Sequence, residues 1–286
     1  MDPRLTIGMA TFDDFHGVYF SIQALRMYHP EIMDETEILI IDNNPDGPHG
    51  QACLNLANHS QNIKYIPEKQ WVSTAVRNKI FEIARGDFVI SMDCHVLFEQ
   101  GSLKKLLDYY KNNSDTNDLY QGPLVYDNLN NISTHFEPVW RSQMYGIWQT
   151  DARGQDPNGE KFEIPMQGLG IFSCRKEAWL GFNKLFRGFG GEEGYIHEKF
   201  RKNGRKCWCL PFLRWVHRFG RPEGVKYPLT LENKVRNYFI GHLELGLDPE
   251  PIIQHFKDFY DEGNLRKICE LSLNELKNSE QLCIDV

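Results

Sequence analysis

An α/β fold with a parallel or mixed central sheet is predicted by three observations. Apolar strand-like runs alternate with segments of helical spacing, polar residues end each run, and the length suffices for a full core. The first run, Leu5-Thr6-Ile7-Gly8-Met9-Ala10-Thr11, reads as a short buried strand that closes on the polar turn Phe12-Asp13-Asp14, before a helix over Val18 to Tyr28. Glu37 to Asp42 is a second strand, broken by Asn43-Asn44-Pro45-Asp46-Gly47, the turn chemistry expected at a strand's carboxyl end. Ile63 to Pro67 is a third. Ser73 to Ala84 carries Val76, Ile80, Ile83 and Ala84 at helical spacing and stops at Gly86, after which Phe88 to Met92 reads as a central strand. Lys111 to Asp118 is polar enough for an exposed loop. From about residue 228 the pattern turns helical, with Asp248-Pro249-Glu250-Pro251 as a break. Residues 1–228 are therefore expected to form the α/β domain and residues 229–286 a helical appendage.

Composition narrows the function classes. A chain of 286 residues with 41% apolar side chains is not disordered, and 32 basic against 39 acidic side chains, net −7, give no electrostatic case for long-range nucleic-acid binding. No apolar run reaches the roughly 18 to 20 residues of a membrane-spanning helix. The first residues lack the basic and apolar regions of a signal peptide, so a cytoplasmic location is expected. Seven cysteines, an odd number without framework spacing, are expected to be thiols, and Cys207-Trp208-Cys209 lacks the second Cys/His pair that a zinc site needs.

Ligands of such sheets sit outside the carboxyl ends of the strands, so the polar residues there are the candidates. Asp93-Cys94-His95 follows the strand ending at Met92, and extended positions i and i+2 project to the same side, where one carboxylate and one imidazole can converge. This is half of a site for a divalent cation, although a surface turn explains Asp-x-His equally. His217, after the apolar stretch at Trp215-Val216, is the candidate third ligand. A mixed oxygen and nitrogen set with open positions suits Mn²⁺, with Mg²⁺ as the alternative, and the remaining positions suit diphosphate oxygens.

Several motifs occur in the order found in one enzyme family. Strand, polar turn and a strand ending in Asp42 are followed by Thr74-Ala75-Val76-Arg77-Asn78 and Ala84-Arg85-Gly86-Asp87-Phe88, leading into Asp93-Cys94-His95. Then come Met166-Gln167-Gly168-Leu169-Gly170-Ile171-Phe172, Gly190-Gly191-Glu192-Glu193 and His217. Over about residues 4 to 228 the chain resembles a nucleotide-sugar glycosyltransferase of the GT-A fold. Its first half is similar to the broad family 2 pattern and its second half to the polypeptide N-acetylgalactosaminyltransferases, whose metal motif is also Asp-x-His. Three departures bear on acceptor choice and the closing loop. Leu169 splits the glycine pair, Glu193 stands where that subgroup has Asn, and Arg218 and Arg221 stand in place of an arginine three residues after the histidine.

The resemblance implies a role for each candidate. Thr11, Phe12, Asp13 and Asp42 would hold the uridine, an acidic side chain or a backbone carbonyl accepting the uracil N–H; a turn or helix-cap role also explains Asp42. Arg77 would sit near the nucleotide, where a guanidinium can clamp phosphate. Asp93, His95 and His217 would hold the cation. Arg218, Arg221, Lys226 and Tyr227 would form a lid over the diphosphate. Gly168 and Gly170 would let the backbone approach the donor sugar. Glu192 and Glu193 would contact the sugar or the acceptor hydroxyl, Glu193 serving as general base if the reaction inverts. The subgroup's metal pattern implies retention. Trp140, Tyr145 and Trp148 are loosely assigned to the acceptor.

The expected activity is transfer of a sugar from a UDP-sugar to an acceptor hydroxyl on a glycan, a protein, a lipid-linked sugar or a modified nucleic-acid base. The resembled enzymes usually carry a membrane anchor and a lectin domain; neither is recognised in this sequence, which favours a cytosolic enzyme as the expectation. Rival readings are an inverting family 2-like transferase, a non-catalytic nucleotide-sugar or glycan-binding module, and a nucleotidyltransferase that would release pyrophosphate.

Overall fold

The computed structural model describes residues 3–221 and 224–284. In the first half strands and helices alternate: β1 (Leu5–Thr11), α1 (Phe15–Tyr28), β2 (Thr36–Asp42), α2 (Gly50–Asn58), β3 (Ile63–Pro67), α3 (Arg77–Ile83) and β4 (Phe88–Asp93). The four strands are parallel, in the spatial order β4, β1, β2, β3. Helices cover both faces, which is why these strands read as continuous apolar runs. Alternate side chains serve opposite cores. Leu5, Ile7 and Met9 of β1, with Ile38 and Ile40 of β2, share a cluster with Val18, Ile22 and Leu25 of α1, whereas Leu39, Ile41 and Val89 pack with Ile80 and Phe81 of α3. Asp14 caps α1 by accepting the Gly17 N–H at 3.0 Å. Gly8 is required on the opposite face: a Cβ there would lie 2.2 Å from Ile80 Cγ2, so α3 sits on β1 at a distance only glycine permits.

The second half contains shorter strands. After β5 (Val96–Phe98) and α4 (Ser102–Asn112) come β6 (Leu119–Gln121), β7 (Leu124–Val125) and β8 (Ile132–Ser133). A hairpin of β9 (His135–Arg141) and β10 (Met144–Gln149) is followed by β11 (Phe162–Glu163), β12 (Ile171–Arg175), α5 (Tyr195–Lys202), β13 (Cys207–Cys209) and β14 (Trp215–His217). β12 runs antiparallel beside β4 and continues the main sheet through β6, β13 and β11 to eight strands. The central sheet is therefore mixed, as expected. β5, β14, β7 and β8 form a second, four-stranded sheet.

Register decides where the site lies. Thr11 is opposite Asp42, and Ala10 is opposite Asp93, so β1, β2 and β4 end at one edge. The antiparallel ladder of β5 and β14 sets His217 opposite Val96 and so beside the chain that has just left β4.

Three helices close the chain, α6 (Leu231–Glu244), α7 (Glu250–Phe256) and α8 (Glu262–Ile284), with the expected break between the first two. Thr230 caps α6 by accepting the Asn233 N–H. Val235, Phe239, Ile252, Phe256 and Leu265 form their shared core. The helices are also joined to the α/β body: Ile240 and Leu276 belong to the cluster beneath α3, and Glu244 pairs with Lys199 of α5 at 2.7 Å. Among the described residues no helix is long and apolar enough to cross a membrane. The six described cysteines are free thiols, five of them buried. Burial pushes the Cys207 thiol up to about 12.

His197 of α5 is wholly buried against the main sheet, and desolvation, with Arg201 nearby, lowers its pKa to about 3. The unfolded chain takes up a proton near pH 6.5 that the folded chain refuses. Stability is therefore expected to fall with acidification below that pH, by roughly 1.4 kcal/mol per pH unit from this group alone. Denaturant unfolding at pH 7, 6 and 5 checks this. His197→Gln should have a flatter slope than wild type between pH 6.5 and 5, and equal slopes would contradict the assignment.

Candidate functional site

At the shared edge of β4 and β14, Asp93, His95 and His217 each offer one ligand atom, and the three atoms lie within 4.8 Å of one another. Asp93 is the last residue of β4. His217 Nε2 stands 3.3 Å from its Oδ2, and the rings of His95 and His217 meet edge-on at 4.8 Å between centroids. Burial opposes ionisation of Asp93. The hydrogen bond from His217 and the positive charge of Arg77, 2.8 Å away, outweigh it and hold the carboxyl well below the usual range.

The surroundings fix the protonation of His95. Arg221 Nη2 lies 3.1 Å from His95 Nε2, and a guanidinium can only donate, so Nε2 carries a lone pair. The proton is then on Nδ1, which donates to Asp14 Oδ2 at 2.9 Å. A carboxylate behind the imidazole is the arrangement that orients a metal-ligating histidine, and the Nε2 lone pair, which accepts from Arg221 in this structure, is the one a cation would take in place of that guanidinium. One carboxylate oxygen and two imidazole nitrogens fit a cation of the Mn²⁺ type. Asp14 is itself tied down by Arg218 at 2.6 Å; although burial raises its pKa, the hydrogen bonds from His95, Arg218 and the Gly17 N–H keep it ionised far into acid.

These groups line a cavity of about 720 Å³. Thr11, Phe12 and Asp13 lie on its wall, as do Arg77, Asp93, His95, His217, Arg218, Arg221, Lys226 and Tyr227. Asp13 takes a left-handed backbone (φ 51°) and accepts from the Asn44 side chain at 2.8 Å. Arg77 joins two parts of the site, donating to Asp93 and to Thr74 Oγ1 at 2.6 Å, while Thr74 in turn donates to Glu192 at 2.9 Å.

Two sequence expectations are corrected, at Asp42 and at the aromatics Trp140 and Tyr145. Asp42 is buried behind the wall, its carboxylate taken up by the Asn44 N–H (2.9 Å) and the Tyr65 hydroxyl (2.8 Å); Asn43 and His49 line the cavity instead. Gly168 and Gly170 line the cavity, and the missing Cβ of each also makes room for an indole. A Cβ on Gly170 would be 2.5 Å from Trp215, and one on Gly168 would be 2.9 Å from Trp148. Trp140 and Tyr145 face away from the cavity, Trp140 stacking on His255 and both rings lying beside the C-terminal helices. Trp148 alone of the three aromatics is on the wall, with its cross-strand partner Phe136. Asp14, Asn43, His49 and Lys234 line the site without having been picked from the sequence.

Glu192 and Glu193 also line the cavity. Burial, reinforced by the charge of Glu192, raises the Glu193 carboxyl to about 7, against hydrogen bonds from the Tyr238 hydroxyl at 2.8 Å and the Gly191 N–H at 3.0 Å. A carboxyl group titrating there can exchange a proton with a bound hydroxyl at neutral pH.

The family described as Glycosyl transferase family 2 matches residues 6–178, more than half of the chain. The chain belongs to glycosyl transferase family 2. No curated protein sequence matches it. Solved structures with a similar fold include GalNAc-T7 with UDP, GalNAc and Mn²⁺, which is 13% identical with a TM-score of 0.66 over 85% of this chain and 48% of that one. S. aureus TarS 1-349 in complex with UDP-GlcNAc is 13% identical with a TM-score of 0.56, over 91% and 72% of the two chains. The mannosyltransferase PcManGT from Pyrobaculum calidifontis, in complex with GDP-Man and Mn²⁺, is 12% identical with a TM-score of 0.55, over 97% and 76%. This family 2 chain spans about half the length of the GalNAc-T7 chain. At such identities the likeness is one of fold, and the fold of this family 2 protein is GT-A.

Calorimetric titration with Mn²⁺ tests the cation assignment. Wild type is expected to bind one ion, His217→Ala to lose measurable binding, and Asp14→Asn, which keeps every proposed ligand, to bind about 10- to 100-fold more weakly. Equal affinity in all three would remove the cation from this cluster.

Proposed function

We propose that this protein transfers a glycosyl group from a UDP-sugar to an acceptor hydroxyl, with Mn²⁺ or, as the alternative, Mg²⁺ held by Asp93, His95 and His217. The observation that carries the reading is the convergence of those three side chains with Arg218 and Arg221 in one cavity at the carboxyl edge of the parallel strands. The leaving group of such a donor is a nucleoside diphosphate, whose charge grows as the bond to the sugar breaks. A divalent cation at the triad supplies the Lewis acidity for that charge. Arg218 and Arg221 add positive charge on the same side, and each is already oriented, by Asp14 and Tyr227. Thr11, Phe12 and Asp13, with Asn43 and His49, form the end of the cavity assigned to the uridine. GalNAc-T7 and TarS, which share the fold, are described with UDP and UDP-GlcNAc, and PcManGT with GDP-Man, so a GDP-sugar is the first comparison donor.

The sugar is assigned to the side of the cavity with Glu192, which Thr74 and Arg77 link to Asp93. In the retaining reading the bond from the anomeric carbon to diphosphate oxygen breaks, the acceptor oxygen joins the same face, and its proton passes to the departing phosphate. A second reading is favoured by one observation, the raised pKa of Glu193 beside the cavity. There the acceptor attacks the opposite face and its proton passes to the Glu193 carboxylate. The four acceptor classes expected from the sequence remain the substrates to be offered.

A screen of nucleotide sugars for Mn²⁺-dependent UDP release tests the reading. Wild type should release UDP with one donor class, and Asp93→Ala and His217→Ala should fall by at least about 100-fold, the scale of losing a preorganised charge stabiliser. Equal turnover in all three, or release of pyrophosphate in place of UDP, would overturn it. Product anomers resolved by proton NMR then separate retention from inversion.

A further inference from the structure

The loop that carries the two glutamates is moulded on α6. Gly190 and Gly191 have φ of 89° and 84°, and a Cβ on Gly191 would lie 2.2 Å from the Lys234 carbonyl oxygen and 2.9 Å from Asn237 Cβ. Asn237 holds the same loop by three hydrogen bonds, accepting from the Arg187 N–H and donating to the carbonyls of Arg187 and Gly190. One turn of α6 thus sets the path of the backbone into Glu192 and Glu193.

Tyr238, the next residue, is 2% exposed and reaches the carboxyl group itself. Its hydroxyl oxygen accepts the Tyr145 N–H from the β9–β10 hairpin at 2.9 Å, which leaves the hydroxyl proton to be donated to Glu193 Oε2 at 2.8 Å. The donor is therefore fixed in both position and direction. We propose that Tyr238 is a positioning residue, an oriented donor from the C-terminal helices that aims the Glu193 carboxyl into the cavity and sets how readily it ionises. The proposal deepens the reading of Glu193 as a group that meets sugar or acceptor. The charged and titratable groups facing Glu193 are Glu192 on its own loop and Lys234 and Tyr238 on α6. Lys234 is one turn before Tyr238 and lines the same cavity. The negative neighbour favours the protonated carboxyl, and the cation and the hydroxyl favour the ionised one.

The test is direct titration of Glu193 in the full-length protein labelled with [5-¹³C]glutamate, the Glu193 signal being the one absent from Glu193→Gln. Tyr238→Phe keeps the ring and removes only the donor to the ionised form, so the Glu193 midpoint is expected to rise by about one pH unit, the size of one lost charge-assisted hydrogen bond. A midpoint that stays in place would overturn the proposal. Turnover is read separately. If Glu193 acts in the reaction, Tyr238→Phe should lower kcat about fivefold at pH 7 with donor KM within twofold, and should have no further effect in the Glu193→Gln background. Effects that multiply in the double variant would mark Tyr238 as merely structural and also overturn the proposal. Full turnover in Glu193→Gln with a shifted midpoint in Tyr238→Phe would strike out the role of Glu193 in the reaction and leave the positioning intact.

Discussion

The antiparallel pairing of β5 with β14 is the constraint on which the site depends. Asp93 and His217 are 124 positions apart, and nothing local relates them. Because His217 is fixed opposite Val96, the residue after His95, its ring can only lie beside that histidine. The ladder itself is held from both ends of the hydrophobic scale. Trp215 is buried in the main core and donates its indole N–H to the Gly122 carbonyl at 2.8 Å, and Gly170 leaves the space for its ring. Geometry at the cation cluster is thus set by packing several residues away, as preorganisation requires.

The carboxyl groups of the cavity fall into two kinds. Near the triad, carboxylates are surrounded by guanidinium groups and imidazoles and remain ionised; Glu193, buried beside the charge of Glu192, resists ionisation. Such a separation suits a reaction in which negative charge develops on the leaving group while a hydroxyl proton departs elsewhere. The chain Asp93, Arg77, Thr74, Glu192 connects the triad to the glutamate loop through direct hydrogen bonds. α6 supports that loop through Asn237 and Tyr238, so the C-terminal helices contribute to the cavity as well as to the fold.

Much of this was legible in the sequence where elements are long and buried on both faces. β1, β2 and β4 stand out as apolar runs because parallel strands have no solvent side, and their polar ends point to the edge where Asp93 and His95 lie. The strands of the second half are short, two or three residues in β6, β7, β8 and β11, too few for a period to register. Asp42 looked like a ligand residue because a strand-terminal Asp carries one signal whichever way it faces. Only the neighbouring strand, which supplies the Tyr65 hydroxyl, shows that it faces inward. Trp140 and Trp148 are alike in composition and opposite in role, since Trp140 pairs with Tyr145 toward α6 and Trp148 with Phe136 toward the cavity. Asp14 was hidden because it caps α1, and its second task, orienting His95, depends on a residue 81 positions away.

The central claim is that Asp93, His95 and His217 share one cation. Anomalous diffraction at the manganese edge, from crystals grown with Mn²⁺ and UDP, tests it most directly. The account predicts a single strong peak in contact with an Asp93 oxygen and with one ring nitrogen of each histidine, and with UDP phosphate oxygens on its open side. A peak elsewhere in the cavity, or a His217 ring turned away from it, would contradict the account.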